Sequence, residues 1–385
     1  MRAFMVLALV ACGGDDGGKK GKGGGGGGAG TVDTAGCQRC DRTFVVEDAE
    51  DLASLAACRV VAGDVTIAGS EALDLSVLEC LEEVTGDLSI NNDALTDLSG
   101  LVTLEAVGAL LVQGNRNLTS LKGLETLERV QETLRVADNP TLVSLEGLDN
   151  VSFVGNYVSI ERNVALPAVD SLGALTIANW VVIDDNDALA NLSGLAALTF
   201  VRGDLTLTNN AALTDLSGLS NVLEVTYTLG IKDNDALASL QGLNRVETVG
   251  WSLQIEDNDA LTGLAGLDDL EEVAGVLSIQ RNSALTTVDG VPALTAVGDS
   301  VNVVGNARLL TLDGLAALDT IGTSLEVVDN ASLTSVNGLI TLETVGEDIR
   351  FTDNASLCQA DAELAAAVIQ AGGSKTIENN SGSCP

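Results

Sequence analysis

The sequence predicts an all-β fold, a parallel β-solenoid of roughly 13 coils with a short capping helix at each end. Three observations carry that prediction. An asparagine returns almost every 24 residues, at Asn92, Asn115, Asn139, Asn163, Asn186, Asn210, Asn234, Asn258, Asn282, Asn306, Asn330 and Asn354. Apolar positions keep a fixed phase around each asparagine. Apolar residues make up 46% of the chain and aromatics 2%, so the core is built from Leu, Val, Ile and Ala in thin layers rather than from large rings.

Each coil begins with a strand. In the coil that starts at Leu253, Leu253 and Ile255 alternate with Ser252, Gln254 and Glu256, the period-two pattern of a strand with one face buried. Asn258 closes the strand. Leu261, Leu264, Leu267, Leu270 and Val273 then follow three apart, before Leu277 and Ile279 open the next coil. Gly266 and several Thr, Ser and Asp residues fill the gaps. Gly costs a helix interior roughly 1 kcal/mol relative to Ala, so the spacing predicts a turn-rich arc rather than a helix. Successive strands align in parallel about 4.8 Å apart, giving a rod on the order of 60 Å long. At the inside corner the asparagine amide can both donate to and accept from backbone groups of its own and the adjacent turn, so the asparagines are read as a structural ladder.

The end coils need lids. Thr43–Val46 reads as a strand and Asp48–Ala57 as a short helix with acids in its first turn. Beyond Leu357 the repeat breaks; Asp361–Gln370 reads as a second capping helix and Lys375–Asn379 as a last strand. Residues 37–62 thus form an N-terminal cap, 63–357 the repeats and 358–385 a C-terminal cap.

Cysteines sit at the ends only. Cys37, Cys40, Cys58 and Cys80 surround one cap, and Cys358 and Cys384 bracket the other. The expected pairs are Cys358 with Cys384, Cys58 with Cys80, which fall at nearly matching positions of successive turns, and Cys37 with Cys40. A zinc or redox reading of Cys37-x-x-Cys40 lacks a second such pair and any histidine, since the chain has none.

Cys12 stands apart. Arg2 precedes the apolar run Ala3–Ala11, and Leu9-Val10-Ala11-Cys12 resembles a bacterial lipobox, so residues 1–11 read as a lipoprotein signal peptide and Cys12 as the lipidated residue. An ordinary secretory signal is the alternative. Residues 12–36 are a Gly-rich tether with a reach of roughly 20 to 25 Å, placing the solenoid at a bacterial outer membrane or cell surface.

The net charge of -36 excludes classes of partner. Lys122, Lys232 and Lys375 are the lysines beyond the tether, so no basic stripe exists for nucleic acid or anionic lipid. Membrane contact is expected only through the lipid anchor, and the chain is expected to be a monomer. Asp185-Asn186-Asp187, Asp233-Asn234-Asp235 and Asp257-Asn258-Asp259 flank the ladder with carboxylates, which suggests calcium as an alternative stabiliser, although no D-x-D-x-D-G run appears and no metal ligands or cofactor are assigned. Without histidine, a phosphate loop or a nucleophile motif, no catalytic residue is assigned either. Trp180, Trp251, Tyr157 and Tyr227 are the only Trp and Tyr and fall in separate coils.

Residues Phe44 to about Leu357 resemble the receptor L domain family through the repeated Asn-x-x-Leu-x-x-Leu-x-Gly-Leu frame, as in Asn210, Leu213, Leu216, Gly218 and Leu219. The resemblance implies a right-handed leucine-rich solenoid used as a ligand-binding module. It covers about four fifths of the chain. The unbroken run of coils departs from the receptor pattern, so signalling is not carried over. The expected function is binding of an extracellular protein or glycan, with a structural envelope component as the alternative. Candidate contact positions are the outward strand residues, among them Arg135, Ser159, Glu161, Asp184, Thr206, Thr208, Lys232, Gln254, Glu256, Ser278, Gln280, Asn302, Glu326, Arg350 and Thr352, a polar strip without clustered aromatic anchors. Between Asn163 and Asn186, Pro167, Ser171 in the place of Gly and a one-residue deletion predict a bend, to be read as a hinge, a domain seam or a local ligand pocket.

Overall fold

A computed structural model describes residues 36–384. The signal peptide, Cys12 and nearly all of the tether lie outside the described residues. Every named strand pairs in parallel with its counterparts one coil away, as Leu253–Glu256 does with Leu229–Lys232 on one side and Leu277–Gln280 on the other, in the register Leu253↔Leu277. A second, shorter strand precedes each of these; Thr248–Val249 lies between Glu224–Val225 and Glu272–Val273. We call the two faces the front and the side. An arc of turns closes the coil, with short 3₁₀ segments such as Ser217–Leu219 or a left-handed glycine at its midpoint.

The core lies inside this tube. Leu253, Ile255, Leu261, Leu264, Leu267, Leu270 and Val273 are all fully buried, and the same positions are buried in the other coils. At roughly 1.5–3 kcal/mol for each fully buried Leu, Ile or Val, stacked coils offset the ordering of their turns. Packing is tight enough to dictate glycine. Gly266 has φ +115°, and a Cβ there would stand 2.2 Å from the Leu240 carbonyl carbon of the preceding coil.

Both lids are coils in their own right. Phe44–Val46 pairs with Val65–Gly69, and helix α1 (Ala49–Leu55) forms the arc above it, with Asp48 accepting from the Glu50 and Asp51 amides as the N-cap. At the other end α2 (Gln359–Val368) replaces the turn arc, after which Gln370–Ala371 joins the side strands and Lys375–Glu378 the front ones. Lys375 Nζ donates to the Ala366 and Ile369 carbonyls at 2.7 Å each, closing the helix C-terminus.

The disulfides are Cys358–Cys384, Cys37–Cys80 and Cys40–Cys58. The expected pairs Cys37–Cys40 and Cys58–Cys80 are therefore corrected. Cys37 and Cys40 lie along the extended segment leading into and through the strand Gln38–Cys40, where three residues span about 10 Å, beyond disulfide reach. That strand pairs with Cys58–Val61, Gln38 opposite Cys58 and Cys40 opposite Val61 across an irregular step; Cys40 lies at a Cα separation of 5.7 Å from Cys58, and Cys80 bonds to Cys37.

The asparagines form one continuous chain of hydrogen bonds. Asn258 Oδ1 accepts from the Asn234 amide at 3.1 Å, while its Nδ2 donates to the Ile231 and Glu256 carbonyls at 2.8 and 2.9 Å. Neighbouring coils repeat the pattern. The residue before each ladder asparagine is left-handed in most coils, with φ of 53 to 58° at Asp138, Asp185, Asn209, Asp233 and Asp257. Asn380 ends the ladder, accepting from the Asn354 amide at 3.3 Å.

The fold carries one structural seam. Glu83–Asn92 and Ala106–Gln113 run unbroken through the corner between side and front, which merges both faces into a nineteen-stranded sheet. Side strands continue in that sheet as far as Phe153–Val154, and a separate nine-stranded sheet begins at Ile177–Ala178. The predicted one-residue deletion thus falls at the corner rather than at Pro167 or Ser171. Gly155, Asn156 and Tyr157 separate buried Val154 from buried Val158, whereas only Asn179 and Trp180 separate Ala178 from Val181. Ser171 is accommodated in the 3₁₀ segment Asp170–Leu172.

Candidate binding surface

The front strip of polar residues is largely occupied with itself. Glu161 receives Arg135 at 3.0 Å and Arg162 at 2.9 Å, and also the Ser159 hydroxyl. Glu256 is matched in the same way by Lys232 at 3.4 Å, Arg281 at 3.6 Å and the Ser278 hydroxyl at 2.7 Å. Gln280 donates to Ser278 at 2.8 Å and Gln254 to Ser252 at 3.2 Å. Such paired groups are poorly placed to grip a ligand, because each new bond displaces an existing one.

The acidic turns show a related economy. Arg162 clamps Asp138 of the preceding coil at 2.6 and 2.9 Å, and Arg281 clamps Asp257 at 2.8 and 2.7 Å. The Arg162 hydrogen bonds hold the Asp138 carboxyl below its ordinary range. Asp233 lies on the other side, its carboxyl pushed up by partial burial and by the neighbouring Asp257 and Asp235 charges. Among the described residues no group of three or more His, Cys, Asp or Glu is arranged to hold a metal ion.

The aromatic residues are differently placed: they fall in separate coils, as expected, but those coils are neighbours, so the rings share one stretch of surface. Phe44 and Phe351 are buried in the core, while Phe153, Tyr157, Phe200, Tyr227 and Trp251 are exposed and Trp180 is half-buried. Coil stacking brings these six onto the side face and its corner with the front. Tyr157 and Trp180 pair in register on adjacent front strands, their rings stacked with centroids 5.0 Å apart and planes at 20°. The Trp180 indole then leans over Gly203 of the next coil, where a Cβ would fall 2.6 Å from its Nε1. Tyr227 donates its amide to the Gly203 carbonyl at 3.2 Å, and Trp251 to the Tyr227 carbonyl at 3.0 Å. The corner therefore reads Tyr157, Trp180, an indole-filled glycine seat, Tyr227 and Trp251 in consecutive coils.

Beside that corner the side face carries Phe153, and Ile177 and Phe200 in register with each other. At the seam between Phe153 and Ile177 a cleft of about 310 Å³ opens, lined by Ser152, Val154, Thr176, Asn179 and Arg202 besides these two. It adjoins a second hollow of about 420 Å³ over Ile177, Phe200, Arg202, Glu224 and Thr226. A third, of about 260 Å³, lies on the front between Tyr157, Arg135 and Val182. The signal for this surface was present in the sequence: the steps from Tyr157 to Trp180, Tyr227 and Trp251 fall within two residues of multiples of the 24-residue coil, so residues far apart along the chain come to neighbouring coils.

The geometry defines a leucine-rich parallel solenoid with an exposed apolar strip, a recognition architecture. Residues 57–147 match the family model described as Receptor L domain. No curated protein matches it in sequence. Among solved structures it is similar to an internalin, InlF, from Listeria monocytogenes, at 17% identity over 86% of this chain and 83% of that one, with a TM-score of 0.34. It is also similar to TLR13 as seen in a complex with ssRNA13, at 12% identity over 88% and 73% of the two chains, with a TM-score of 0.23. Likeness at that level describes a repeated chain path and carries no function.

Proposed function

We propose that this protein is a surface-tethered, non-enzymatic recognition solenoid that binds an extracellular protein or glycan through the strip from Phe153 to Trp251. The observation that carries the reading is the strip itself. Six aromatic residues in a chain with 2% aromatics stand along one stretch of surface, which starts at the seam in the side strands and runs on over the following coils. Exposed clustered aromatics are the residue types that dominate binding hot spots, and a stable soluble surface has no use for them otherwise. The rest of the surface is acidic and hydrated, which suppresses unspecific association.

The lipobox-like Leu9-Val10-Ala11-Cys12 and the Gly-rich segment after it support tethering to a bacterial outer membrane or cell surface. Capture from native extracellular material tests the binding function. The full chain should retain a partner that a Trp180→Ala, Trp251→Ala variant does not, both variants keeping the same circular dichroism. Retention of nothing by the wild type favours a structural envelope component.

A further inference from the structure

We infer that the groove over Phe153, Ile177 and Phe200 takes an extended, carboxylate-bearing peptide segment; this rests on the recognition function proposed above and narrows its ligand from protein or glycan to peptide.

The first support is the seam's main chain. One coil further on, the Thr199 amide donates to the Thr176 carbonyl at 2.9 Å and the Arg202 amide to the Ala178 carbonyl at 3.0 Å. Across the seam the corresponding bonds, from the Thr176 amide to the Ser152 carbonyl and from the Asn179 amide to the Val154 carbonyl, are not formed. Two other contacts hold the seam together: Asn179 Nδ2 donates to the Gly155 carbonyl at 2.5 Å and the Trp180 amide to the Asn156 carbonyl at 3.2 Å. Ser152, Val154, Thr176 and Asn179 all line the cleft. Main-chain donors and acceptors left beside an apolar floor are the complement of an extended peptide, whose own amides and carbonyls alternate with side chains that Phe153, Ile177 and Phe200 can cover.

The second support is charge. In a chain of net charge -36, Arg202 lines both hollows and makes no ion pair among the described residues, and Arg129, which sits beside Phe153 in register, makes none either. Arg135, Arg162 and Arg281 on the front are all engaged by carboxylates. Arg202 is thus a free planar donor at the shared wall of the groove, suited to a carboxylate.

The third support separates peptide from glycan. Sugars are held on open aromatic faces, and Tyr157 and Trp180 each have one face covered by the other. Their edges, with the Phe153 and Phe200 rings and the branched Ile177, remain for apolar side chains.

A phage-displayed library of random seven-residue peptides, panned against the full chain purified in detergent, tests this, alongside neutral and uronic-acid oligosaccharides measured by calorimetry. Enrichment of peptides pairing Asp or Glu with apolar residues is expected, with at least tenfold weaker binding of the selected peptides to Arg202→Gln and selection of basic peptides by Arg202→Glu. Arg308→Gln, a solvent-side change elsewhere, should leave binding unaltered. Oligosaccharide binding lost on Trp180→Ala, without peptide enrichment, overturns the peptide assignment and leaves the recognition function standing. Acidic peptides bound equally by wild type and Arg202→Glu overturn the assignment of the groove. Enrichment of nothing, together with no partner retained from native material, overturns both.

Discussion

Replacing a middle-coil ladder asparagine such as Asn258 by Ala should be among the most damaging truncations of a polar side chain in this fold. The Asn258 amide group serves two neighbours that nothing else can reach. Its Oδ1 accepts from the buried Asn234 amide at 3.1 Å, and its Nδ2 donates to the Ile231 carbonyl at 2.8 Å. Asn258 is fully buried, so water cannot substitute. Each orphaned buried group costs about 1–3 kcal/mol, so two of them give a loss of roughly 2–6 kcal/mol. The damage falls on the junction between adjacent coils, and in a stack held by nearest-neighbour contacts it should also weaken cooperativity. Urea unfolding followed by circular dichroism reads the first effect, and amide hydrogen exchange at Asn234 reads the second. A loss below about 1 kcal/mol, with the Asn234 amide still protected, would refute the assignment of the ladder as an obligatory bonding device. Asn258→Asp keeps the acceptor but buries a carboxyl, so its deficit should shrink as the pH is lowered and the acid is neutralised.

Gly266→Ala should lose more than about 2 kcal/mol in the same unfolding assay, because a left-handed backbone and a 2.2 Å contact both oppose a methyl group; an unchanged midpoint contradicts that packing. Asp233→Asn should stabilise the protein by a few tenths of a kcal/mol, since its carboxyl is largely exposed and screened. Because the folded carboxyl is raised above its unfolded value, the wild-type penalty is present above the folded pKa and fades as the pH falls to about 4, so the gain should vanish there; a gain that persists at pH 3 rules out repulsion as its cause. Palmitate labelling should mark the wild type and spare Cys12→Ala, and equal labelling would remove the lipid anchor. Thermal midpoints in EDTA and in calcium should coincide, and a rise in calcium alone would restore the calcium-stabilised alternative.

The parts of the fold legible in the sequence are those that one backbone requirement imposes in every coil. A buried corner needs a side chain that both donates and accepts, and Asn258 and its counterparts supply it at a fixed period. Asn380 escaped because α2 replaces the usual arc and stretches the last step to 26 residues. The N-terminal disulfides were not legible, since position within a turn does not reveal which face of a strand a cysteine occupies, and the strand Gln38–Cys40 pairs with Cys58–Val61 through an irregular register. The seam was legible as a missing residue but not as a place: only the structure locates it at Asn179 and Trp180 rather than at Pro167. The strip is hard to see along the chain because Tyr157, Trp180, Tyr227 and Trp251 are far apart in sequence, whereas a solenoid folds near-multiples of its period into neighbouring coils.

Carbene footprinting of the protein on intact cells, compared with the purified full chain, addresses the binding surface most directly. Phe153, Tyr157, Trp180, Phe200, Tyr227 and Trp251 should be labelled several-fold less in place on the cell than in isolation, while outward residues such as Glu326 and Arg350 remain unchanged. Equal labelling of the six residues in both settings, with protection concentrated on the front strip instead, would contradict the assignment of function to this surface.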